Sequence, residues 1–259
     1  MDYSRNWLFI DDAAQKELAS KKLLIAGAGI GSFIAELAVR TGIQNITIAD
    51  GDIVSESNLN RQNYLGVQVG MNKVESLKSR LLAINPKLNL TIIPQFLGSG
   101  ELNRLVPEAD FVINTIDFDS PAFLECSDLC RTHGVVEFFP MNVGFGAALC
   151  IFSKGSPTWR DMFKFENHVD LKQAIMGYLS ASQQMESYLY QLADRYEKEL
   201  PLRQCDPQLG ISTYIVAAMT VSNVVKIVQG QEVKLFPEFF YLDAYTDTTV
   251  AAIKGVGAA

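Results

Sequence analysis

Three glycines, two carboxylates and two cations in the first third of the chain have the types and spacing to bind a nucleotide and act on its phosphates. Gly27, Gly29 and Gly31 lie in Gly27-Ala28-Gly29-Ile30-Gly31-Ser32. This run joins an apolar stretch, Leu23-Leu24-Ile25-Ala26, to a helical pattern with Ile34, Leu37 and Ala38 on one face. Side chains in such a turn would hold the backbone away from phosphates on the helix N-terminus, where unpaired N–H groups and the helix dipole favour anions. A second strand, Ile46-Thr47-Ile48-Ala49, ends in Asp50, where an acid can accept the hydroxyl hydrogens of a ribose, and Asp52 follows two residues on. Asn58, Arg61 and Gln62 come next, and Lys73 opens a helix carrying Val74, Leu77, Leu81 and Ile84 on one face. A guanidinium grips phosphate oxygens in a planar fork, and an ammonium acts as a point charge.

The elements that must position these residues follow from the apolar periodicity. The first two strands and the helix between them predict a βαβ unit, hence an α/β fold with a Rossmann-like, mostly parallel sheet. A third strand is expected at Leu90–Ile93 and a short helix at Leu102–Leu105. The fourth strand, at Phe111–Ile116, ends in Asp117. Further strands read at Val135–Phe139 and Gly146–Phe152. Between Lys154 and Leu202 the later part is helical, with Leu171, Ile175, Leu179, Leu189, Leu192 and Tyr196 at helical intervals. It reads equally as a helix packed on the sheet or as a partner-binding cover. A core helix at Ser212–Val228, a strand at Phe236–Asp243, an extended piece near Thr248–Ile253 and a frayed tail at Gly255–Ala259 complete the expectation.

The run Asp50-Gly51-Asp52-Ile53-Val54-Ser55-Glu56-Ser57-Asn58-Leu59-Asn60-Arg61-Gln62, followed by Val69-Gly70-Met71-Asn72-Lys73, resembles the ubiquitin-activating-enzyme superfamily, the ThiF/MoeB/HesA type of adenylating enzymes. The resemblance spans roughly residues 3 to 230. It implies an antiparallel C-terminal extension of the sheet and a helical crossover over the site. It also implies an adenylyltransferase that uses MgATP to activate the C-terminal carboxylate of a small ubiquitin-like protein or peptide. Asp50 would then hold the ribose, with Asp52, Asn58 and Gln62 beside the nucleotide. Arg61 and Lys73 would neutralise the phosphates, and Asp117 would hold Mg²⁺. Arg5, in Tyr3-Ser4-Arg5-Asn6, would reach the nucleotide site of the second subunit of a homodimer. Residues 1–20 would be a helical lead-in exchanged between subunits, and residues 21–259 an adenylation domain with the crossover insertion at 154–204. Cys205 stands where several relatives keep a thioester- or persulfide-forming nucleophile. A nearby helix N-terminus and Arg203 would favour its thiolate.

The chain also departs from that pattern. Its glycine turn is one residue short, so Gly31 takes the third glycine's part, and Phe118 follows Asp117 where relatives carry Asn. Asp119 is a further candidate ligand. Cys126 and Cys130 share a helix face, but the paired C-x-x-C motifs of zinc-bearing members are missing and no zinc is expected.

At 259 residues and a net charge of −7, the chain suits one large α/β domain and lacks the basic balance of a nucleic-acid surface. A carboxylate on a modified tRNA base stays open as an alternative substrate. With no apolar run of membrane-spanning length, no leader and no disulfide-type cysteine spacing, a cytoplasmic protein without a membrane partner is expected. Two rivals remain. A nicotinamide-dependent oxidoreductase would leave the Asn58–Lys73 motif unused and has only His133 and His168 to offer. A catalytically silent scaffold would accommodate the short glycine turn and Phe118.

Overall fold

The computed structural model describes residues 1–118, 120–181, 187–203, 205–246 and 248–250. A 3-10 turn at Ser4–Asn6 leads to α1 (Asp12–Ser20), whose N-terminus is capped by the Asp11 carboxylate accepting the Ala14 N–H at 2.8 Å. β1 (Lys22–Ala26), α2 (Gly31–Thr41) and β2 (Asn45–Ala49) form the first βαβ unit. After a long loop come α3 (Lys73–Ile84), β3 (Asn89–Ile93), α4 (Ser99–Leu105), β4 (Phe111–Asn114) and α5 (Pro121–His133). The second half adds the hairpin of β5 (Val136–Val143) and β6 (Gly146–Phe152), then α6 (Trp159–Met162), α7 (His168–Ala181), α8 (Ser187–Arg203) and α9 (Gly210–Val228). β7 (Phe239–Asp243) and β8 (Thr248–Val250) follow.

The strands form one sheet in the order β3-β2-β1-β4-β5-β6-β7-β8. Its first five strands are parallel, and β6, β7 and β8 are added antiparallel. Alternation along β1 divides the core between two faces, because successive side chains point to opposite sides of a sheet. Leu23 and Ile25 pack with residues of α1, α2, α3 and α9, whereas Leu24 and Ala26 pack with α4 and α5. On this second face the antiparallel half carries an aromatic core of Phe123, Phe139, Phe152, Trp159 and Phe236, against which α7 buries Leu171, Ile175 and Leu179. α7 is thus an amphipathic helix packed on the sheet, while α8 exposes Tyr190, Leu192 and Leu202.

Four expectations need correction. The strand expected from Phe236 begins only at Phe239, after the turn that Glu238 N closes on the Leu235 carbonyl. β4 stops at Asn114, two residues early, because Thr115 turns its side chain back onto the glycine turn. β5 continues past Phe139 through Pro140 to Val143. Proline is admitted because β4 pairs with β5 only as far as Phe138, so Pro140 has a ladder partner on the β6 side alone. Finally, α9 is 19 residues long with a mean hydropathy of 1.6, long and apolar enough to cross a membrane by length and composition, contrary to the sequence expectation. It packs on the sheet through Val216, Ala217, Val221 and Val224, and Ser212, Thr213 and Thr220 are buried beside them.

Candidate active site

The glycine turn sits at the carboxyl edge of the parallel strands, where open α/β sheets bind ligands. Gly27 has φ +104°, a left-handed conformation that side chains resist, and a Cβ there would lie 2.5 Å from Thr115 Oγ1. Gly31 opens α2 so close to β1 that a Cβ would lie 2.6 Å from Ile25 Cγ2, which is the helix-on-strand approach a third glycine permits. Side chains from three segments hold the turn. Thr115 Oγ1 lies 2.9 Å from the Gly27 carbonyl, the Tyr64 hydroxyl donates to the Ala28 carbonyl at 2.7 Å, and the Ser32 hydroxyl donates to the Gly29 carbonyl at 2.6 Å. Burial, with Asp50 and Asp52 nearby, pushes the Tyr64 phenol well above its ordinary value, so it remains a donor.

Gln62 lies over Gly29, with Nε2 3.3 Å from where a Cβ would stand. Its Oε1 is buried with no hydrogen-bond partner. A buried acceptor left unpaired is costly and calls for a donor.

Asp50 is buried at the end of β2. Its Oδ2 accepts the Ala28 N–H at 2.7 Å and its Oδ1 the Asp52 N–H at 2.8 Å, so the carboxylate ties the strand to the turn with lone pairs to spare. Lys73 is the first residue of α3, whose N-cap Asn72 accepts from Val74 N and Glu75 N. The Lys73 side chain is buried and its Nζ lies 2.8 Å from Asp52 Oδ2, at the same strand end as Asp50. Asn58 is also buried, and its Oδ1 accepts the Ser55 N–H at 3.1 Å. That bond closes the 3-10 turn from which Arg61 and Gln62 project, so Asn58 shapes the loop locally.

Arg61 reaches across to the connection between α8 and α9. Its Nε donates to Gln208 Oε1 at 2.9 Å, while Nη1 donates to Asn60 Oδ1 at 2.9 Å and to the Ser57 carbonyl. Cys205 is exposed in that same connection. α9 begins five residues later, at Gly210, two residues nearer than the sequence suggested, and Arg203 donates to Glu199 at 2.6 Å, which offsets its charge. The adjacent Asp206 pairs with Lys172 at 2.6 Å and accepts the Tyr196 hydroxyl at 2.7 Å.

Asp117 lies exposed in the turn after β4, two residues beyond Thr115. Phe118 packs inward on Phe123 and Phe139, with ring centroids 5.0 and 5.5 Å apart, and so anchors that turn to the aromatic core. Asp119 lies outside the described residues. Arg5 is exposed, and its neighbours fix it far from its own glycine turn. The Tyr3 hydroxyl donates to the Val39 carbonyl at 2.8 Å and Asn6 Nδ2 to the Thr41 carbonyl, both at the C-terminal end of α2. With the turn at the other end of this eleven-residue helix, the separation is about 15 Å. His133 is exposed at the end of α5, on the edge of the sheet away from the turn.

A second polar layer supports the site. Burial alone would raise the Glu36 carboxyl, but hydrogen bonds from Arg80, Asn63 and Arg40 bring it down to about 2. Asn63 in turn takes the Ser32 hydroxyl as acceptor at 3.0 Å. On β5, beside β4, fully buried Glu137 accepts from Asn114 Nδ2 at 2.9 Å, Ser127 Oγ at 2.8 Å and Arg131 Nη2 at 3.2 Å. Thr115, Tyr64 and Gln208 were not singled out from the sequence, because each works through contacts between segments far apart in the chain, and neither was Glu137, a lone acid inside an apolar strand.

A family model described as the ThiF family matches residues 3–255. Among curated relatives, the molybdopterin-synthase adenylyltransferase of Escherichia coli is 36% identical over 109 residues, covering 41% of this chain and 44% of its own length. The sulfur carrier protein ThiS adenylyltransferase of Bacillus subtilis is 33% identical over 121 residues, covering 44% of this chain and 36% of its own. The chain spans about half the length of the curated relatives it matches first. Among solved structures, E. coli MccB with ATP superposes with a TM-score of 0.71 at 19% identity, covering 99% of this chain and 72% of that one, a likeness of fold.

Proposed function

We propose, from the premise that this chain belongs to the ThiF family, that it is an ATP-dependent adenylyltransferase acting on the C-terminal carboxylate of a small ubiquitin-like protein or peptide. The observation that carries this reading is the gathering, at one sheet edge, of a backbone cradle a Cβ would fill, the buried ribose-type carboxylate Asp50 and the buried ammonium of Lys73. The unpaired Gln62 Oε1 beside Gly29 supplies an acceptor for a bound donor. Arg61 stands in the loop between them, on residues 58–62.

In the reaction, a carboxylate oxygen bonds to the α-phosphorus, the bond from that phosphorus to the bridging oxygen breaks, and pyrophosphate leaves. Negative charge grows on the leaving group, where Lys73 and Arg61 stabilise it as fixed cations. The Lys73 ammonium is held at the strand end by Asp52 Oδ2 at 2.8 Å. Asp50 orients the ribose, and the N–H groups opening α2 face the phosphates. Asp117, exposed after β4, would hold Mg²⁺, which when bound offsets charge on the phosphates. A single carboxylate with waters suits that ion, and no group of three or more His, Cys, Asp or Glu side chains gathers among the described residues. Arg5, remote from its own turn, would serve the second subunit of a homodimer, and the Cys205 thiolate would attack the acyl carbon of the adenylate, forming a thioester as the bond to AMP breaks and AMP leaves.

ATP–pyrophosphate exchange that depends on an added carboxylate partner tests the proposal. Exchange lost in Lys73→Ala and Asp117→Ala and retained in Cys205→Ala is the expected pattern. Undiminished exchange in either of the first two removes the corresponding role.

A further inference from the structure

We infer that Gln208 is a positioning residue for Arg61: the connection from α8 to α9 fixes the orientation of the guanidinium and leaves its charge intact for a phosphate. The inference rests on the nucleotide reading above and deepens it. Arg61 has five N–H donors in a planar fork. The one on Nε is held by Gln208 Oε1 at 2.9 Å, and the pair on Nη1 by Asn60 Oδ1 and the Ser57 carbonyl. Nη2 has no acceptor among the described residues, so three donors are held and the two N–H groups of Nη2 are left for an anion.

The chemistry of the clamp matters as much as its geometry. All three acceptors are neutral. Six other arginines are paired with carboxylates among the described residues, as in Arg80 and Arg40 with Glu36, or Arg131 with Glu137. Those pairs cancel the charge they orient. An amide oxygen and a carbonyl oxygen orient without cancelling, which is what a cation awaiting an anion requires. An unclamped arginine would have to lose its rotamer freedom on binding, which lowers affinity.

Gln208 is itself held from both sides. Its carbonyl accepts from Asn60 Nδ2 at 3.3 Å, and Gly210 approaches so closely that a Cβ would lie 2.6 Å from the Asn60 carbonyl oxygen. On the other side, Asp206 is fastened to α7 by Lys172 and to α8 by Tyr196. The crossover helices, the connection that carries the exposed Cys205, and Arg61 are therefore linked in one assembly.

The test is the affinity of the ATP analogue with a methylene between the α- and β-phosphates, set against that of AMP, both by calorimetry on the full chain. AMP lacks the outer phosphates and reports an intact fold and ribose site. Gln208→Ala is expected to weaken the analogue about tenfold, as for a contacting pair, with AMP affinity and Tm unchanged. Combined with Arg61→Ala, it should add almost nothing. Gln208→Glu keeps an acceptor but neutralises the guanidinium, and should weaken the analogue at least as much. Analogue affinity unchanged in Gln208→Ala while Arg61→Ala weakens it overturns the inference and leaves the nucleotide reading standing. A Gln208→Ala effect of full size in the Arg61→Ala background overturns it too. Analogue affinity unchanged in Arg61→Ala removes the phosphate role of Arg61, and the inference with it.

Discussion

Thr115 stands against Gly27 so closely that a Cβ on the glycine would lie 2.5 Å from the threonine Oγ1 and 2.6 Å from its carbonyl oxygen. The end of β4 is thereby clasped to the end of β1, and no side chain larger than hydrogen fits between. Gly27→Ala combines this overlap with backbone strain at φ +104° and should abolish nucleotide binding and lower Tm steeply. Gly70→Ala has a similar φ of +87° but nothing within 4 Å, so it should cost only about 1 kcal/mol of conformational strain and leave binding intact. Calorimetry with the ATP analogue, paired with thermal melts, distinguishes the two.

Tyr64→Phe removes the buried donor to the Ala28 carbonyl. An acceptor left unsatisfied in the interior costs about 1–3 kcal/mol, and here it also loosens the glycine turn. Urea unfolding should show a lower midpoint at unchanged slope, together with weaker analogue binding. Equal stability in the two proteins would contradict the bond's role.

Lys73→Met keeps the buried aliphatic stem and deletes the charge. Asp52 is half exposed and regains water when its partner goes, so the melting temperature should barely move. Pyrophosphate exchange should fall about 100-fold or more, the scale of losing one preorganised group that stabilises transition-state charge. A large loss of both stability and exchange would make the ion pair structural instead.

Glu36 predicts a pH dependence. Its carboxyl is held near 2 in the folded chain against an ordinary value of 4.5, so the folded state binds this proton less readily than the unfolded one. The contribution is present above pH 4.5 and disappears as pH falls toward 2. Glu36→Gln should be less stable than the parent at pH 6, and the gap should be much smaller at pH 2.5, closing fully only below about 2. Denaturant midpoints at the two pH values measure it, and a gap that stays constant would assign the loss to packing.

The pair beside β4 behaves differently. Arg131→Met leaves Glu137 buried opposite only Asn114 and Ser127, at a cost of about 3–5 kcal/mol for an uncompensated interior charge. Glu137→Gln can keep polar contacts with both neighbours and should cost less. Chemical denaturation of the two variants ranks them, and the reverse order would refute this account.

The legible part of the fold was the part written in local pattern. Leu23–Ala26, the glycine run and Ile46–Ala49 carry strand and helix periods that translate directly into β1, α2 and β2, and the Asn58–Lys73 run carries a recognisable spacing. What escaped depends on neighbours distant in the chain. Pro140 reads as a strand stop, yet β5 passes through it because β4 has already ended alongside. The apolar length of α9 becomes interior packing only once a sheet and α2 lie beside it. At the site, Asp50 and Lys73 could be placed from the strand end and helix start they occupy. Gln208, 147 positions from Arg61, carries no local sign of its contact.

The mixed sheet has a further consequence. β7 runs the same way as β5, so its last residue, Asp243, emerges on the same edge as Asp50 after β2, five strands away. At ~4.8 Å per strand that rim measures about 24 Å, the length of seven extended residues. The antiparallel extension thus carries the rim that begins at the glycine turn well beyond the parallel strands.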